Sequence, residues 1–84
     1  MNYEFNEEQK ENILRIYPSV EEYILIDIRR KREKECFDVI NRGQLWYELN
    51  VDTKEKKEEI IKWYNEWLLA TKTRIIPEKP KWIN

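Results

Sequence analysis

The chain of 84 residues has no histidine, one cysteine and one glycine. Each shortage excludes something. Without histidine, the commonest general base and metal ligand is gone. Cys36 has no imidazole to activate it as a nucleophile and no second cysteine for an intramolecular disulfide. With Gly43 alone, a glycine-rich phosphate loop cannot be built. No cluster of metal-ligand spacing is present, and no cofactor is expected. No signal peptide and no apolar run of membrane length appear, so no membrane contact is expected. The expectation is a non-enzymatic protein of the cytoplasm.

What is present is charge and aromatic surface. Charged residues make up 39% and apolar ones 40%, with four tryptophans and five tyrosines. That mixture, with only three prolines, reads as helical rather than disordered. The length allows one domain, residues 1–84, with a small core that gains from a partner or a second copy. The net charge of −1 gives no electrostatic case for nucleic acid. Residues 1–28 are acidic and residues 70–84 basic.

The pattern predicts an all-α domain of three helices, about residues 6–17, 20–42 and 53–70, followed by an extended proline-containing tail, 71–84. Asn6 is an N-cap candidate for the first helix, and Pro18 ends it. Ser19 and Glu22 stand at capping-box spacing at the start of the second. The stretch YILIDI, residues 23–28, also suits a strand by composition, but the cap and the lack of a turn signal favour helix. Gly43 is placed at the left-handed position after this helix. The middle of the helix, RRKREKE, has no apolar residue at all. Either its long basic stems cover a neighbour there, or it projects into water. The third helix, capped by Asp52 or Thr53, sets Ile60, Ile61, Trp63, Tyr64, Trp67 and Leu68 at spacings of three and four.

Two sets of residues are candidates for contact with another protein. The first is an aromatic cluster with the tail: Trp46, Tyr47, Trp67, Pro77, Pro80 and Trp82. Tryptophan and tyrosine build small cores and also dominate interface hot spots, so both readings stand for this set. The stretch RGQLWYEL, residues 42–49, is expected to turn at Gly43 and lay Leu45 and Trp46 on the aromatic face of the third helix, with Tyr47 or Leu49 near the surface. The tail IIPEKPKW is either a strap across the helices or a stiff arm for a partner. The second set is the basic surface of Arg29, Arg30, Arg32 and Lys34, usually a solvated face and alternatively a contact for an acidic partner. A homodimer through the long helix would cover its two apolar ends.

Three blocks in order, Arg42-Gly43-x-Leu45-Trp46-Tyr47, then Trp63-Tyr64-x-x-Trp67-Leu68, then Ile76-Pro77-x-x-Pro80-x-Trp82, resemble small proteins encoded in the tail-gene regions of phages and prophages of Firmicutes. The resemblance spans about residues 41–83. The aromatic helix before a proline-rich end also looks like the end of tail-fibre assembly chaperones. The resemblance implies a phage protein without enzymatic activity that binds a tail or tail-fibre component during virion assembly in the host-cell cytoplasm. A second expectation, from small size, high charge and absence of catalytic residues, is a phage inhibitor that occludes a host defence protein, in the manner of an anti-CRISPR protein.

Overall fold

The computed structural model describes residues 3–84. The chain is all-α, and no strand forms among the described residues. Its elements are α1 (Glu7–Leu14), α2 (Val20–Lys31), a π-helical segment (Arg32–Phe37), α3 (Asp38–Ile40), α4 (Gln44–Asn50) and α5 (Lys54–Thr73).

Local chemistry sets the helix starts. The Asn6 side chain accepts from the Gln9 N–H at 2.8 Å, and the Gln9 side chain accepts from the Asn6 N–H at 2.9 Å. This reciprocal pair satisfies two donors that a helix start leaves open. The Ser19 hydroxyl accepts from the Glu22 N–H at 3.1 Å, and YILIDI lies wholly within α2. Of the two candidates for capping α5, Thr53 takes the role, its hydroxyl accepting from the Lys56 N–H at 3.1 Å. Asp52 instead accepts from the Lys56 ammonium at 3.0 Å, which holds its carboxyl below the ordinary carboxylate range.

α2, the π segment and α3 form one continuous rod ending at Ile40, two residues short of the expected Arg42. The charged middle of this rod is where the backbone widens to i→i+5 pairing. The core positions Ile24, Ile28, Arg32 and Cys36 recur every four residues. In a regular α-helix each such step drifts by about 40°, so the row would leave the core after two steps. The wider π turn takes up that drift and returns Cys36 and Val39 to the side of Ile28, where all three are buried. Arg32 occupies the gap in the apolar row. Its stem is half-buried, and its Nε–H donates to the Trp67 carbonyl at 3.0 Å.

α5 runs back along the rod. Its face of Ile60, Trp63, Trp67 and Ala70 is buried with Ile24, Ile28, Cys36, Val39 and Ile83. At its end Arg74 adopts a left-handed conformation, φ 61°, and its N–H closes on the Ala70 carbonyl at 2.8 Å. A non-glycine residue there costs about 1–2 kcal/mol. An ion pair between Arg74 and Glu21 ties this corner to the start of α2.

The tail then folds back as a strap. Pro77 and Ile83 are buried, and the Trp82 indole donates to Glu59 at 3.0 Å with the Lys56 ammonium 5.6 Å from its ring. On the flank of α2 beside the core, Tyr3 donates to Asp27 at 2.7 Å, and the rings of Phe5 and Tyr17 meet Tyr23 edge-on at 5.7 and 5.1 Å. Burial and the Asp27 carboxylate both push the Tyr3 hydroxyl above its ordinary range.

The result is a rod of 47 × 19 × 19 Å. Its radius of gyration, 15.7 Å, exceeds the roughly 12 Å of a compact chain of this length.

Candidate protein-binding surface

α4 is the element that the three-helix expectation missed. Residues 44–50 form two turns of helix rather than a turn and a clasp. Gly43 explains the break. Its φ of 98° is positive as expected, but its ψ of 170° is extended, not left-handed helical. It stands as the N-cap of α4 instead of completing the end of the preceding helix.

Helical geometry then separates neighbours in sequence by about 100°. Trp46 turns inward, half-buried against the core, with the Arg42 guanidinium 5.0 Å from its ring. Asn50, one turn on, donates to the Trp46 carbonyl at 2.8 Å and stays on that inner side. Leu45 and Leu49, also one turn apart, face outward at 70% and 69% exposed. Leu45 therefore does not lie on the aromatic face of α5, because the extra helical turn carries it away from Trp46. Tyr47 is exposed, and no residue of α4 is fully buried. On the flank Gln44 donates to Glu48 at 3.0 Å. The arrangement is a short helix anchored by one indole that presents two leucines and a phenol to solvent.

The remaining residues of the aromatic set divide. Trp67 is fully buried and Pro77 is buried, so neither offers surface to a partner; both belong to the core. Their burial follows from the strap, which lays Pro77 over α5. Pro80 and Trp82 are half-buried within the same strap, so the tail is not a free arm. Trp67, Pro77 and Lys34 are brought together along a cavity of about 330 Å³ that Trp63 and Lys79 also line. Trp46 and Tyr47 sit on a different element, α4.

The basic set divides as well. Arg29, Arg30 and Lys34 are exposed, whereas Arg32 points inward to the Trp67 carbonyl. Its Nη2, together with the indole N–H groups of Trp63 and Trp67, is buried without a hydrogen-bond partner. Each such donor costs about 1–3 kcal/mol.

Cys36 is fully buried, and burial pushes its thiol up to about 11, against the opposing charge of Arg32. It is a neutral thiol at physiological pH, packed as a small apolar side chain. Among the described residues no group of three or more histidine, cysteine or acidic side chains converges as for a metal, and no helix is long and apolar enough to cross a membrane.

The outward leucines had a signal in the sequence. Leu45 and Leu49 share the spacing of one helical turn, as do Arg42 and Trp46. Comparison of the chain with protein families, curated proteins and solved structures gives no match.

Proposed function

We propose that the chain is a non-enzymatic binding protein that docks a protein partner on α4. The observation that carries this is the exposure of Leu45 and Leu49 on a helix held in place by Trp46. Two leucines one turn apart are the anchors of a helix that lies in a groove of a partner. Mutually adjacent exposed apolar side chains in a chain with 39% charge have no folding role that requires them.

The partner class comes from the resemblance of the three motif blocks. It is a tail or tail-fibre component met during virion assembly in the host-cell cytoplasm. The first block supplies most of α4, and the other two supply the aromatic face of α5 and the strap. The test is a phage lacking the gene, complemented by the native chain or by a Leu45→Ser/Leu49→Ser variant. The native chain restores normal tails and the variant leaves tails or fibres incomplete. Normal tails without the gene would remove the assembly role.

A second reading is occlusion of a host defence protein by the exposed Arg29, Arg30 and Lys34. It predicts that reversing Arg29 and Arg30 to glutamate abolishes inhibition of a defence enzyme. Arg32 is left out of that test because its reversal would bury a carboxylate beside the Trp67 carbonyl. Inhibition that survives both reversals removes this mechanism.

A further inference from the structure

The strap is held by few contacts. Arg74 is tied to Glu21 and to the end of α5, so movement of the strap starts beyond it. Residues 77–84 put only Pro77 and Ile83 into the interior. Every other buried residue among those described stands on a helix. Pro77 and Pro80 have no N–H to donate. Among the described residues, the one backbone hydrogen bond made by residues 77–84 is internal, from the Ile83 N–H to the Pro80 carbonyl at 3.1 Å. Glu78, Lys79 and Lys81 are exposed and form no ion pair among the described residues. The bond from Trp82 to Glu59 lies at the surface, where water competes for both partners.

The closed state also leaves chemistry unsatisfied beneath the strap. The strap crosses α5 at Trp63 with open space on both sides. Trp63 and Lys79 line a groove of about 320 Å³ towards Glu59 and Glu66, and they also line the cavity of about 330 Å³ towards Lys34 and Asp38. Side chains that border such space lack packing partners on one side. The indole N–H groups of Trp63 and Trp67 are sealed from solvent without an acceptor. Each gives up hydration in the closed state and receives no acceptor in exchange. Lifting the strap returns water to both donors and returns chain entropy to residues 77–84. These gains oppose what closure draws from Ile83, Pro77 and Trp82. We propose that residues 77–84 are a lid that lifts as one unit while the helices stay folded, and that lifting turns Trp63 and Trp67 from sealed side chains into a donor surface within reach of solvent. The helices keep their own buried residues, from Ile24 to Ala70, when the lid is open. The lid moves as one unit because exposed side chains and the half-buried Pro80 are all that stand between Pro77 and the Trp82–Ile83 end.

The test is native-state hydrogen exchange of the full chain, followed by NMR at several low urea concentrations. It reads the indole N–H groups of Trp63 and Trp67, the Ile83 amide, and the amides of Ile28 and Ile60. The two indoles and the Ile83 amide are expected to share one opening constant, roughly a hundredfold or more above that of the Ile28 and Ile60 amides. Their urea slope is shallow, since a lid exposes little surface when it opens. Ile83→Asp places a carboxylate in a buried position and so holds the lid open. Its helical circular dichroism stays at the native level, and both indoles lose their protection. Indoles that open only with the Ile28 and Ile60 amides, and with their urea slope, overturn the proposal. So do indoles that stay protected while Ile83 opens, which is fraying of the chain end alone. Loss of the helices in Ile83→Asp overturns it as well, because the strap is then part of the fold's foundation rather than a lid on it.

Discussion

The two faces of α5 are made from the same kinds of residue and meet opposite fates. Ile60, Trp63, Trp67 and Ala70 are sealed between the α2–α3 rod and the strap. Ile61 and Leu68, one position further round in each case, stand about half in water. α4 repeats the contrast on a smaller scale, with Trp46 inward and Leu45 outward. Apolar residues at helical spacing show that a helix has a face; they do not show what covers it. In a rod only 19 Å across, there is no third layer to cover the outer face. The buried contacts of α5 therefore lie on one side of the helix, and its other side is left facing water.

The comparison can be broken most severely from the inner side. Trp67→Ala removes a fully buried indole and is expected to cost about 3–5 kcal/mol. Against a total of about 5–15 kcal/mol for a small domain, that unfolds much of the population, as loss of helical circular dichroism and of the cooperative denaturation step would show. Leu68→Glu on the outer face should leave the same transition almost unmoved.

The hinge between the two regions comes next. Gly43→Ala is expected to cost about 1–3 kcal/mol, because φ 98° with ψ 170° is a conformation that side chains resist. A Cβ there meets nothing within 4 Å, so the whole cost is backbone strain. Chemical denaturation gives the loss, and proteolysis within residues 41–52 should rise with it.

The burial of Cys36 can be sharpened by pH. In the fold its thiol stays protonated up to about 11, whereas its ordinary value is 9.0. Between these values the folded state binds more protons than the unfolded one, so stability falls as pH rises. The expected loss is on the order of 1–2 kcal/mol across that window. Cys36→Ala should lack this portion of the slope, which paired denaturation series at about pH 8 and about pH 10.5, below and above the ordinary thiol value, would reveal.

The smallest effect on stability belongs to α4. Leu45→Ser/Leu49→Ser is expected to move the denaturation midpoint by no more than about 0.5 kcal/mol, since both side chains are mostly in water already. Its effect should appear in binding alone.

Much of the fold was legible because its signals are local. Asn6, Ser19 and Thr53 cap the helices as their side-chain chemistry requires, and the aromatic face of α5 is plain at spacings of three and four. The tail left two readings open, and contacts settled it as a strap: Ile83 in the core and Trp82 on Glu59. What was not legible depends on fit across the chain. α4 is only seven residues long, and its glycine N-cap offers no side-chain signal. The π turn exists because a row of residues four apart must stay against α5, which no property of RRKREKE alone declares. The inward turn of Arg32 has the same origin, since its acceptor lies 35 residues away. Of the expected contact residues, Trp67 and Pro77 are buried and Arg32 turns inward, while Leu45 and Leu49, which were not among them, stand exposed on α4.

The most direct test is capture of partners from phage-infected cells by the tagged native chain and by Leu45→Ser/Leu49→Ser, side by side, with bound proteins identified by mass spectrometry. The account predicts that a tail or fibre protein is enriched by the native chain and lost with the variant, while both chains remain equally folded. Equal recovery of that protein by both chains would contradict α4 as the docking surface.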